Sequence, residues 1–516
     1  MIHQPINLVN GNIITLDENC PHANSLSIVN GKITSINSPI INAKTINLHG
    51  ATITPGFVDS HLHLTNMGKQ LEYLQLRDIN SSSEIVDMIQ KRTQELPKGQ
   101  WIIGYGWDQT KWEDTEFPQS EVLNLISPHH PVYLIRIDGH SAWVNQKAFE
   151  VAGLSVPLDN PLGGDCINNC ILIDNSMNLV LEHLPQDTTE NIKRWIALAT
   201  DTLIKRGVTS VHDAWQTQNI IESIHSLIEE DKFPIRCYGM LGNTEEDLLH
   251  HYFQNGHFKS DKYQIRAVKA FIDGALGSRG AALIAPYADD EENNGLILTS
   301  SQEFKLLANN CAKYGFQLCA HAIGDRAVSF ALNAYEHSIK GLTNHRWRIE
   351  HSQMISDTDI NRFNSHKIIP SMQPSHCISD MRWMKNRLGS KRIHQISRFK
   401  TLIQSGCKIP GGSDAPIENG NPLEEMYFAI SRKDINGNPP GGWQSQESVT
   451  PIQALKMFTK WSAYASFHEN KRGQIKDGYD ADLTVLSKDI LSVNPSEIPK
   501  IQILMTIVGG KIVYKR

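Results

Sequence analysis

The sequence predicts an α/β protein in which eight parallel strands alternate with helices and close into a barrel. Short apolar stretches alternate with amphipathic helices through the middle of the 516-residue chain, which is typical of βα units around a parallel sheet. Eight such stretches can be counted, and eight parallel strands close a barrel. Both ends of the chain contain hairpin-like β segments instead, which predict a separate all-β domain.

The barrel elements follow one another in chain order. The predicted strands are Ile53–Val58, Val208–His212, Ile235–Met240, Arg266–Ile272, Phe316–His321, Trp347–His351, Ile368–Met372 and Lys408–Gly412. Four predicted helices each stop at a glycine, a common helix end: Asn191–Arg206, Gln302–Tyr314, Asp325–Lys340 and Lys391–Ser405. A last helix is predicted to start at Thr450 and Pro451 and to run to about Phe467.

The two ends of the chain are predicted to form one small β domain, residues 1–54 together with 470–516. Asn-Gly and Gly-Gly turns separate their apolar runs, and neither half alone buries enough apolar surface to be stable. A gap of about 150 residues between Val58 and Val208 is far too long for one βα unit. We therefore assign residues 65–195 to an insertion and residues 55–64 and 196–469 to the barrel. The insertion has its own predicted strands, 101–107 and 131–140, and a helix over 81–96.

Composition and charge exclude several classes of protein. Lys and Arg number 49 against 55 Asp and Glu, a net charge of −6, so no broad basic field is offered to nucleic acid. There is no run of about 18 apolar residues and no signal-peptide pattern at the N-terminus, so no membrane partner and a cytoplasmic location are expected. The eight cysteines are too sparse for a disulfide framework, and Cys166 with Cys170 is only a weak metal signal.

Six polar residues fall at or near the carboxyl ends of predicted barrel strands, where barrel enzymes hold their active sites. They are His61, His63, Lys269, His321, His351 and Asp414. The spacings of 52 from Lys269 to His321 and 30 to His351 are about one βα unit each, and the 63 residues to Asp414 are two units. A single histidine at a strand end is more often structural, but this many coincident placements predict one site.

These residue types point to a metal-dependent reaction. Imidazoles with a carboxylate suit Zn-like ions, whereas an all-oxygen set would suit Mg²⁺ or Ca²⁺. A bound metal lowers the pKa of a coordinated water, and Asp414 beside it is the expected general base. Lys269, buried next to metal ions, can lose its proton and take up CO₂ as a carbamate, which converts a cation into a bridging carboxylate.

Several motifs resemble the amidohydrolase superfamily, in particular the branch with a large insertion after the first strand that includes N-substituted formamide deformylases. They are PGFVDSHLH, the strand-four lysine, HAIGD, RIEHSQ and GGSDAP, with LVNGNIITLD near the start and GYDADLTVL and IVGGKIVY near the end. The motifs occur in order over nearly the whole chain. The sequence departs from the branch in segment 162–174, which lacks a Pro-Thr-Gly-like stretch, and at Gly280, where Thr is usual.

The resemblance implies a (β/α)8 barrel of TIM type with a composite β-sandwich, and a metal-dependent hydrolase that cleaves an amide-like C–N bond in a small-molecule substrate. It also implies one or two Zn²⁺ per subunit. By this resemblance His61, His63, His321 and His351 are metal ligands, Asp414 is both ligand and general base, and Lys269 is the N6-carboxylysine bridge. A non-catalytic binding or regulatory barrel stays open, as does esterase, deaminase or isomerase chemistry on the same site. The assembly state stays open, with a homodimer as one option.

Four further residues are candidates for substrate contact: Trp107, His140, Asp273 and Arg279. Each is polar or aromatic and is expected to line the mouth of the barrel. Asp325 either caps a helix or meets substrate. Glu350 is expected on the opposite side of its strand from His351, towards the helix layer.

Overall fold

The computed structural model describes residues 4–77, 79–137, 139–161 and 163–516. The chain divides into two compact units. One consists of the chain up to Leu64 and from Ala199 onward, and the other is Thr65–Leu198. No helix in the described ranges is both long enough and apolar enough to cross a membrane. All eight cysteines are free thiols.

Seven parallel strands form most of a barrel in the first unit. In order around the sheet they are Phe57–Leu62, Val208–Gln216, Arg236–Gly242, Tyr263–Phe271, Gln317–Ala322, Arg348–His351 and Ile369–Ser371. A two-residue strand, Phe258–Lys259, pairs antiparallel with the fourth of them. The predicted parallel barrel is therefore confirmed.

The eighth predicted strand, Lys408–Gly412, is not a regular strand, although it occupies the eighth place. Its one bridge joins Gly411 to Met372. On one side the Met372 amide donates to the Pro410 carbonyl over 3.1 Å, and on the other the Ser60 amide donates to the Gly411 carbonyl over 2.9 Å. A proline and two glycines give this segment little capacity for a continuous ladder, yet it links the seventh strand to the first.

Helices alternate with the barrel strands along the chain. They are Thr189–Lys205, Gln218–Glu229, Glu246–Asn255, Ser301–Tyr314, Asp325–Ser338, Ile360–Ser365, Pro374–Ser379, Met381–Arg392, Phe399–Gln404, Pro422–Ser431, Pro451–Met457 and Lys460–Ala465. The helix Ser301–Tyr314 begins with a capping box and ends at Gly315 in the left-handed conformation, the glycine stop that its sequence predicts. The predicted continuous helix Lys391–Ser405 is wrong: the kinked helix Met381–Arg392 ends there, a 3-10 turn follows at Ile393–Gln395, and an α-helix resumes at Phe399–Gln404.

Two sheets bring the ends of the chain together. One contains Ile6–Val9, Leu26–Val29, Lys32–Ile36 and Lys44–Asn47, and the other contains Asn12–Ile14, His22–Ala23, Thr52–Pro55, Leu483–Leu486, Ile503–Val508 and Lys511–Lys515. Side chains from both sheets share one apolar core. The predicted strand Ile53–Val58 is wrong in its bounds, because the chain leaves the second sheet at Pro55 and enters the barrel at Phe57. A Cβ on Gly56 between them would lie 2.3 Å from Oγ1 of Thr209, so only glycine fits this passage.

The second unit has its own mixed sheet and apolar core. Its strands are Gly164–Ile167, Ile171–Asp174, Ser141–Val144, Val132–Arg136, Ile102–Trp107 and Leu74–Gln75, in sheet order, and its helices include Ser82–Glu95, Glu121–Ile126, Gln146–Val151 and Asn178–Leu181. The helix Leu64–Glu72 leads from the first unit into it. The predicted strand 131–140 is too long: it ends at Arg136, and Ser141–Val144 pairs with it antiparallel.

Candidate metal centre

The structure brings together the six residues predicted from strand ends. They are His61, His63, Lys269, His321, His351 and Asp414, on or directly after the first, fourth, fifth and sixth strands and the eighth segment. His61 and Lys269 are fully buried, and His321, His351 and Asp414 are at most 8% exposed. His63 is half-buried. A site of this kind is shielded from bulk water, which strengthens its electrostatic interactions.

Asp414 lies between two histidines of the first strand. The Nε2 atoms of His61 and of His63 are each 3.4 Å from Oδ1 of Asp414. Zinc bonds to nitrogen and oxygen are about 2.0–2.1 Å long, so two ligands of a tetrahedral ion lie about 3.4 Å apart. The three ligand atoms lie within 4.8 Å of one another and therefore fit one ion.

His376 belongs to the same centre, although the sequence analysis did not single it out. It lies on the short helix Pro374–Ser379, after the seventh strand. Its Nε2 is 3.8 Å from Oδ2 of Asp414, and its ring stacks on that of His351 with centroids 5.7 Å apart. The sequence does place His376 shortly after the seventh predicted strand. That strand carries no ionisable residue of its own, so the pattern of polar strand ends does not include this histidine.

Glu350 faces the centre, and the expectation that it points to the helix layer is wrong. It is fully buried, and Nδ1 of His61 donates to its Oε2 over 2.5 Å. Alternation along the strand places Glu350 on the same inner side as Arg348, whose Nη2 donates to the same oxygen over 2.9 Å. His351 reaches the centre as well because its backbone leaves the extended conformation, with φ of 68°.

Two of the histidines are oriented by partners on their outer nitrogens. Glu350 holds Nδ1 of His61, and Oε1 of Gln373 accepts from Nδ1 of His351 over 2.9 Å. In each case the proton is on Nδ1, so the lone pair of Nε2 is free. Outer hydrogen bonds of this type fix the tautomer of metal-binding histidines.

His321 and Lys269 complete the interior of the centre. His321 packs against His351 with ring centroids 4.5 Å apart, and its buried Nε2 lies 3.6 Å from Oδ1 of Asp273 without a regular hydrogen bond. Lys269 places Nζ 3.3 Å from Nε2 of His61. Burying a nitrogen without a hydrogen-bond partner costs folding free energy, and an ion bound by such nitrogens would remove that cost.

The protonation states suit a metal centre. Burial, reinforced by the charge of Lys269, lowers the pKa of His61 to about 4 and that of His321 to about 3. Burial also lowers the pKa of Lys269. Burial opposes the ionisation of Asp414. However, a hydrogen bond from His63, together with the nearby His61 and His351, holds the pKa of the Asp414 carboxyl group well below its usual range. Neutral imidazoles and an ionised carboxylate are the forms that bind metal.

The donor set therefore fits a zinc-like divalent ion. Neutral imidazole nitrogens, an ionised carboxylate at ligand-like separations and unpartnered buried nitrogens all favour a borderline cation over a hard, oxygen-preferring one. The residues that would hold it are His61, His63 and Asp414, with His321 and His351 alongside.

Asp273 and Arg279, the two candidate substrate contacts in the barrel loops, both interact with other residues of the protein. Asp273 is fully buried and accepts from the backbone amides of Ala282, Ile323 and Gly324 over 2.8–3.0 Å, so it fixes loops next to His321. Arg279 makes a two-pronged ion pair with Asp289, at 3.2 and 3.1 Å.

Asp325 serves the helix that it begins. It accepts from the amides of Ile284 and Arg326, each over 2.9 Å, in keeping with the capping alternative. Its carboxylate also ties a barrel loop to the start of that helix.

The two candidates in the second unit differ in exposure. Trp107 is fully buried in the apolar core of that unit, and its Nε1 donates to the Leu134 carbonyl over 2.7 Å; a side chain packed this way supports the fold and offers no surface to a substrate. His140 is exposed, and its Nδ1 lies 2.9 Å from Oδ1 of Asp174.

Known proteins resemble this chain over almost its full length. The sequence model of the amidohydrolase family matches residues 44–514. Protein LONG AFTER FAR-RED 3 of Arabidopsis thaliana is 31% identical, covering 98% of this chain and 91% of that protein. The N-substituted formamide deformylase of Arthrobacter pascens is 23% identical, covering 99% and 98%.

Solved structures extend the likeness to the fold. The crystal structure of an uncharacterized metal-dependent hydrolase from Pyrococcus horikoshii OT3 matches with a TM-score of 0.80 and 27% identity, covering 95% of this chain and 99% of that one. Because the family match spans most of the sequence and the barrel carries the expected strand-end residues, the chain belongs to the amidohydrolase family.

Proposed function

We propose that the protein is a metal-dependent hydrolase that cleaves the C–N bond of a small amide, such as an N-substituted formamide. The observation that carries the proposal is Asp414, an ionised buried carboxylate within 3.4 Å of Nε2 of both His61 and His63. The relation to the Arthrobacter formamide deformylase over nearly the whole chain supports the substrate class, and the Pyrococcus neighbour supports metal dependence.

A divalent ion, when bound, polarises the substrate carbonyl and acidifies a water molecule. The protein's own residues then manage protons and charge. Asp414 takes a proton from the attacking water and delivers it to the amide nitrogen, so that the C–N bond breaks to give a carboxylic acid and a free amine. His61 and His351 stay neutral on Nε2 because Glu350 and Gln373 hold their Nδ1 protons.

Lys269 is the proposed site of carboxylation. Its amine is fully buried beside His61, and burial lowers its pKa, which leaves the nitrogen lone pair free to attack CO₂ with loss of one proton. The resulting carbamate would supply an anionic bridge between two Zn²⁺ ions. An intact-mass measurement in bicarbonate, compared with Lys269→Met, tests this: extra mass equal to one CO₂ is expected only in the unchanged protein.

The test of function is a substrate screen of the zinc-loaded protein. N-formyl amines, N-acyl amines, dipeptides, lactones and aminopurines are offered, and release of amine, acid or ammonia is measured. We expect turnover of N-formyl or N-acyl amines, reduced at least about 100-fold in Asp414→Asn because the general base is lost. The matched control Asp261→Asn changes an exposed carboxylate and should keep full activity.

Other outcomes of the screen contradict the proposal. Turnover restricted to lactones or to aminopurines would assign the site to ester hydrolysis or deamination. Full amide turnover by Asp414→Asn would remove Asp414 from the role of base.

A further inference from the structure

Arg432 is a buried cation that lacks a counter-ion. Its side chain is fully buried, yet it forms no ion pair with any residue that the structure describes. Two other buried arginines differ from it. Nε of Arg236 lies 2.7 Å from Oδ2 of Asp482. Nε of Arg348 lies 2.7 Å from Oε1 of Glu350. Buried charges in folded proteins are normally paired in this way, so the charge of Arg432 needs another explanation.

Two of the three guanidinium nitrogens of Arg432 are already engaged. Nε donates to the Trp443 carbonyl over 3.1 Å, and Nη1 donates to the Ser397 carbonyl over 3.4 Å. Nη2 is buried and has no hydrogen-bond partner in the described part of the chain. The Cζ atom lies 5.2 Å from the ring centroid of Phe399 and 5.5 Å from that of Trp443. These rings attract the cation but carry no negative charge to neutralise it.

The two buried carboxyl groups that flank Arg432 in the chain are engaged elsewhere. Glu425, on the same helix as Arg432, accepts from the Ser375 amide over 2.9 Å. Glu447 accepts from Thr401 with both of its oxygens, from the amide over 3.0 Å and from the hydroxyl over 2.5 Å. Neither carboxyl group forms an ion pair with Arg432 in the described chain. The missing negative charge must therefore come from outside the protein.

We propose that Arg432 binds one chloride ion on Nη2, in a site that does not include the metal ligands. The pattern of bonds selects the kind of anion. Because Nε and Nη1 are engaged, neither edge of the guanidinium has two free nitrogens for the bidentate bond that a carboxylate or phosphate forms. A buried oxyanion would also leave acceptor oxygens unpaired. A halide needs one donor nitrogen and carries one negative charge, which matches the charge to be neutralised.

The ion would stabilise a strained junction between three segments. Arg432 ends the helix Pro422–Ser431 with φ of 57°, and Ser397, just before the helix Phe399–Gln404, has φ of 49°. A non-glycine residue adopts this left-handed conformation only where the surrounding structure holds it. Trp443 belongs to the loop that follows Arg432. Neutralising the arginine therefore strengthens the contacts that hold both strained residues, and chloride should raise the stability of the folded protein.

The first test is a crystal structure of the full chain grown in sodium bromide, with X-ray data collected at the bromine absorption edge. We expect an anomalous peak at hydrogen-bonding distance from Nη2 of Arg432 in the unchanged protein, and none there in Arg432→Met. This readout in the unchanged protein does not depend on any variant folding. A water molecule beside Nη2, without anomalous signal, would overturn the proposal.

The second test compares unfolding temperatures in sodium chloride and in sodium gluconate at equal ionic strength. A ligand that binds only the folded state raises the unfolding temperature. We therefore expect a higher value in chloride for the unchanged protein, no such difference in Arg432→Met, and a smaller one in Arg432→Lys, which keeps the charge with different geometry. The control Arg382→Met changes an exposed arginine and should keep the full response to chloride.

Two results of the second test would contradict the site. They are the absence of a chloride response in the unchanged protein and an undiminished response in folded Arg432→Met. If Arg432→Met does not fold, the comparison rests on Arg432→Lys, whose response must be smaller than that of the unchanged protein. Neither test measures catalysis, so failure of the chloride site leaves the proposed hydrolase function as it stands.

Discussion

Glu350 controls the orientation of His61 through a buried chain of charges. Arg348, Glu350 and His61 are all fully buried. Burial alone would raise the pKa of Glu350, but Arg348 and His61 hold it well below its ordinary value. The carboxylate therefore stays ionised, accepts the Nδ1 proton of His61 and increases the basicity of Nε2, as carboxylates behind metal-bound histidines do.

Glu350→Gln is expected to weaken zinc binding about 10- to 100-fold, because an amide holds the histidine proton less firmly. It should also lower the free energy of unfolding by about 3 kcal/mol, since the buried Arg348 charge loses its counter-ion. Chelator competition measures the first effect and denaturant unfolding of the metal-free protein measures the second.

Glu336→Gln is the matched control. Its Oε1 pairs with Nε of Arg362 over 2.7 Å in a partly exposed position, where an ion pair contributes at most about 1 kcal/mol. Unchanged zinc affinity in Glu350→Gln would show that the carboxylate does not support His61.

At the scale of the element, the sequence predicts the barrel strands well because each is an apolar run at βα spacing, and five of the eight carry a site residue at or near their carboxyl end. It fails where the backbone departs from ideal geometry. Strict alternation predicts His351 as the inner residue of its strand and Glu350 as the outer one. The inner side in fact carries Arg348 and Glu350, and His351 reaches the centre only through its positive φ, which alternation cannot anticipate.

The eighth segment is a second feature whose structure the sequence pattern does not predict. Its Pro-Gly-Gly run lacks the regular ladder of a strand, and its place depends on long-range bonds such as that from the Gly412 amide to the Met372 carbonyl at 3.2 Å. His376 was missed for a related reason: its role depends on a helix that turns back over the centre. Spacing along the chain identifies where strands end, but it does not show which later segments of the chain fold back against those ends.

Gly412→Ala is expected to disturb the junction of this segment with the first strand. A Cβ at Gly412 would lie 2.6 Å from the amide nitrogen of His61 and 2.8 Å from the Cβ of His61. The backbone of one of the two segments must therefore move. We expect a loss of about 1–3 kcal/mol in unfolding free energy and a smaller rise in the unfolding temperature on adding Zn²⁺, because both His61 and Asp414 shift.

Gly280→Ala is the control for that prediction. Its Cβ would meet neighbours only at ordinary contact distances of 3.4 Å or more, so stability and zinc response should not change. Equal behaviour of the two alanine variants would contradict the close packing of the eighth segment against His61.

At the scale of the whole molecule, a buried ion pair ties the barrel to the sheet built from both ends of the chain. Arg236 begins the third barrel strand and is 2% exposed. Its Nε and Nη2 donate to the two carboxylate oxygens of Asp482 over 2.7 and 3.0 Å. Asp482 directly precedes the strand Leu483–Leu486 and also accepts from the Gly509 amide over 2.7 Å. One carboxylate thus orders the barrel, the strand and the final hairpin.

The same arginine offers an internal comparison between a buried and an exposed partner. Nη1 of Arg236 lies 2.9 Å from Oδ2 of Asp261, whose side chain is 78% exposed. We expect Asp482→Asn to lower the free energy of unfolding by about 3 kcal/mol, because the buried Arg236 keeps only Asp480, 3.8 Å away, as a buried counter-ion, and Asp261→Asn by at most about 1 kcal/mol, because water screens that pair. Denaturant unfolding of the metal-free variants measures both values. Similar losses in the two variants would mean that the carboxylate of Asp482 does not couple the sheet to the barrel, and that the shared apolar core alone holds the ends of the chain in place.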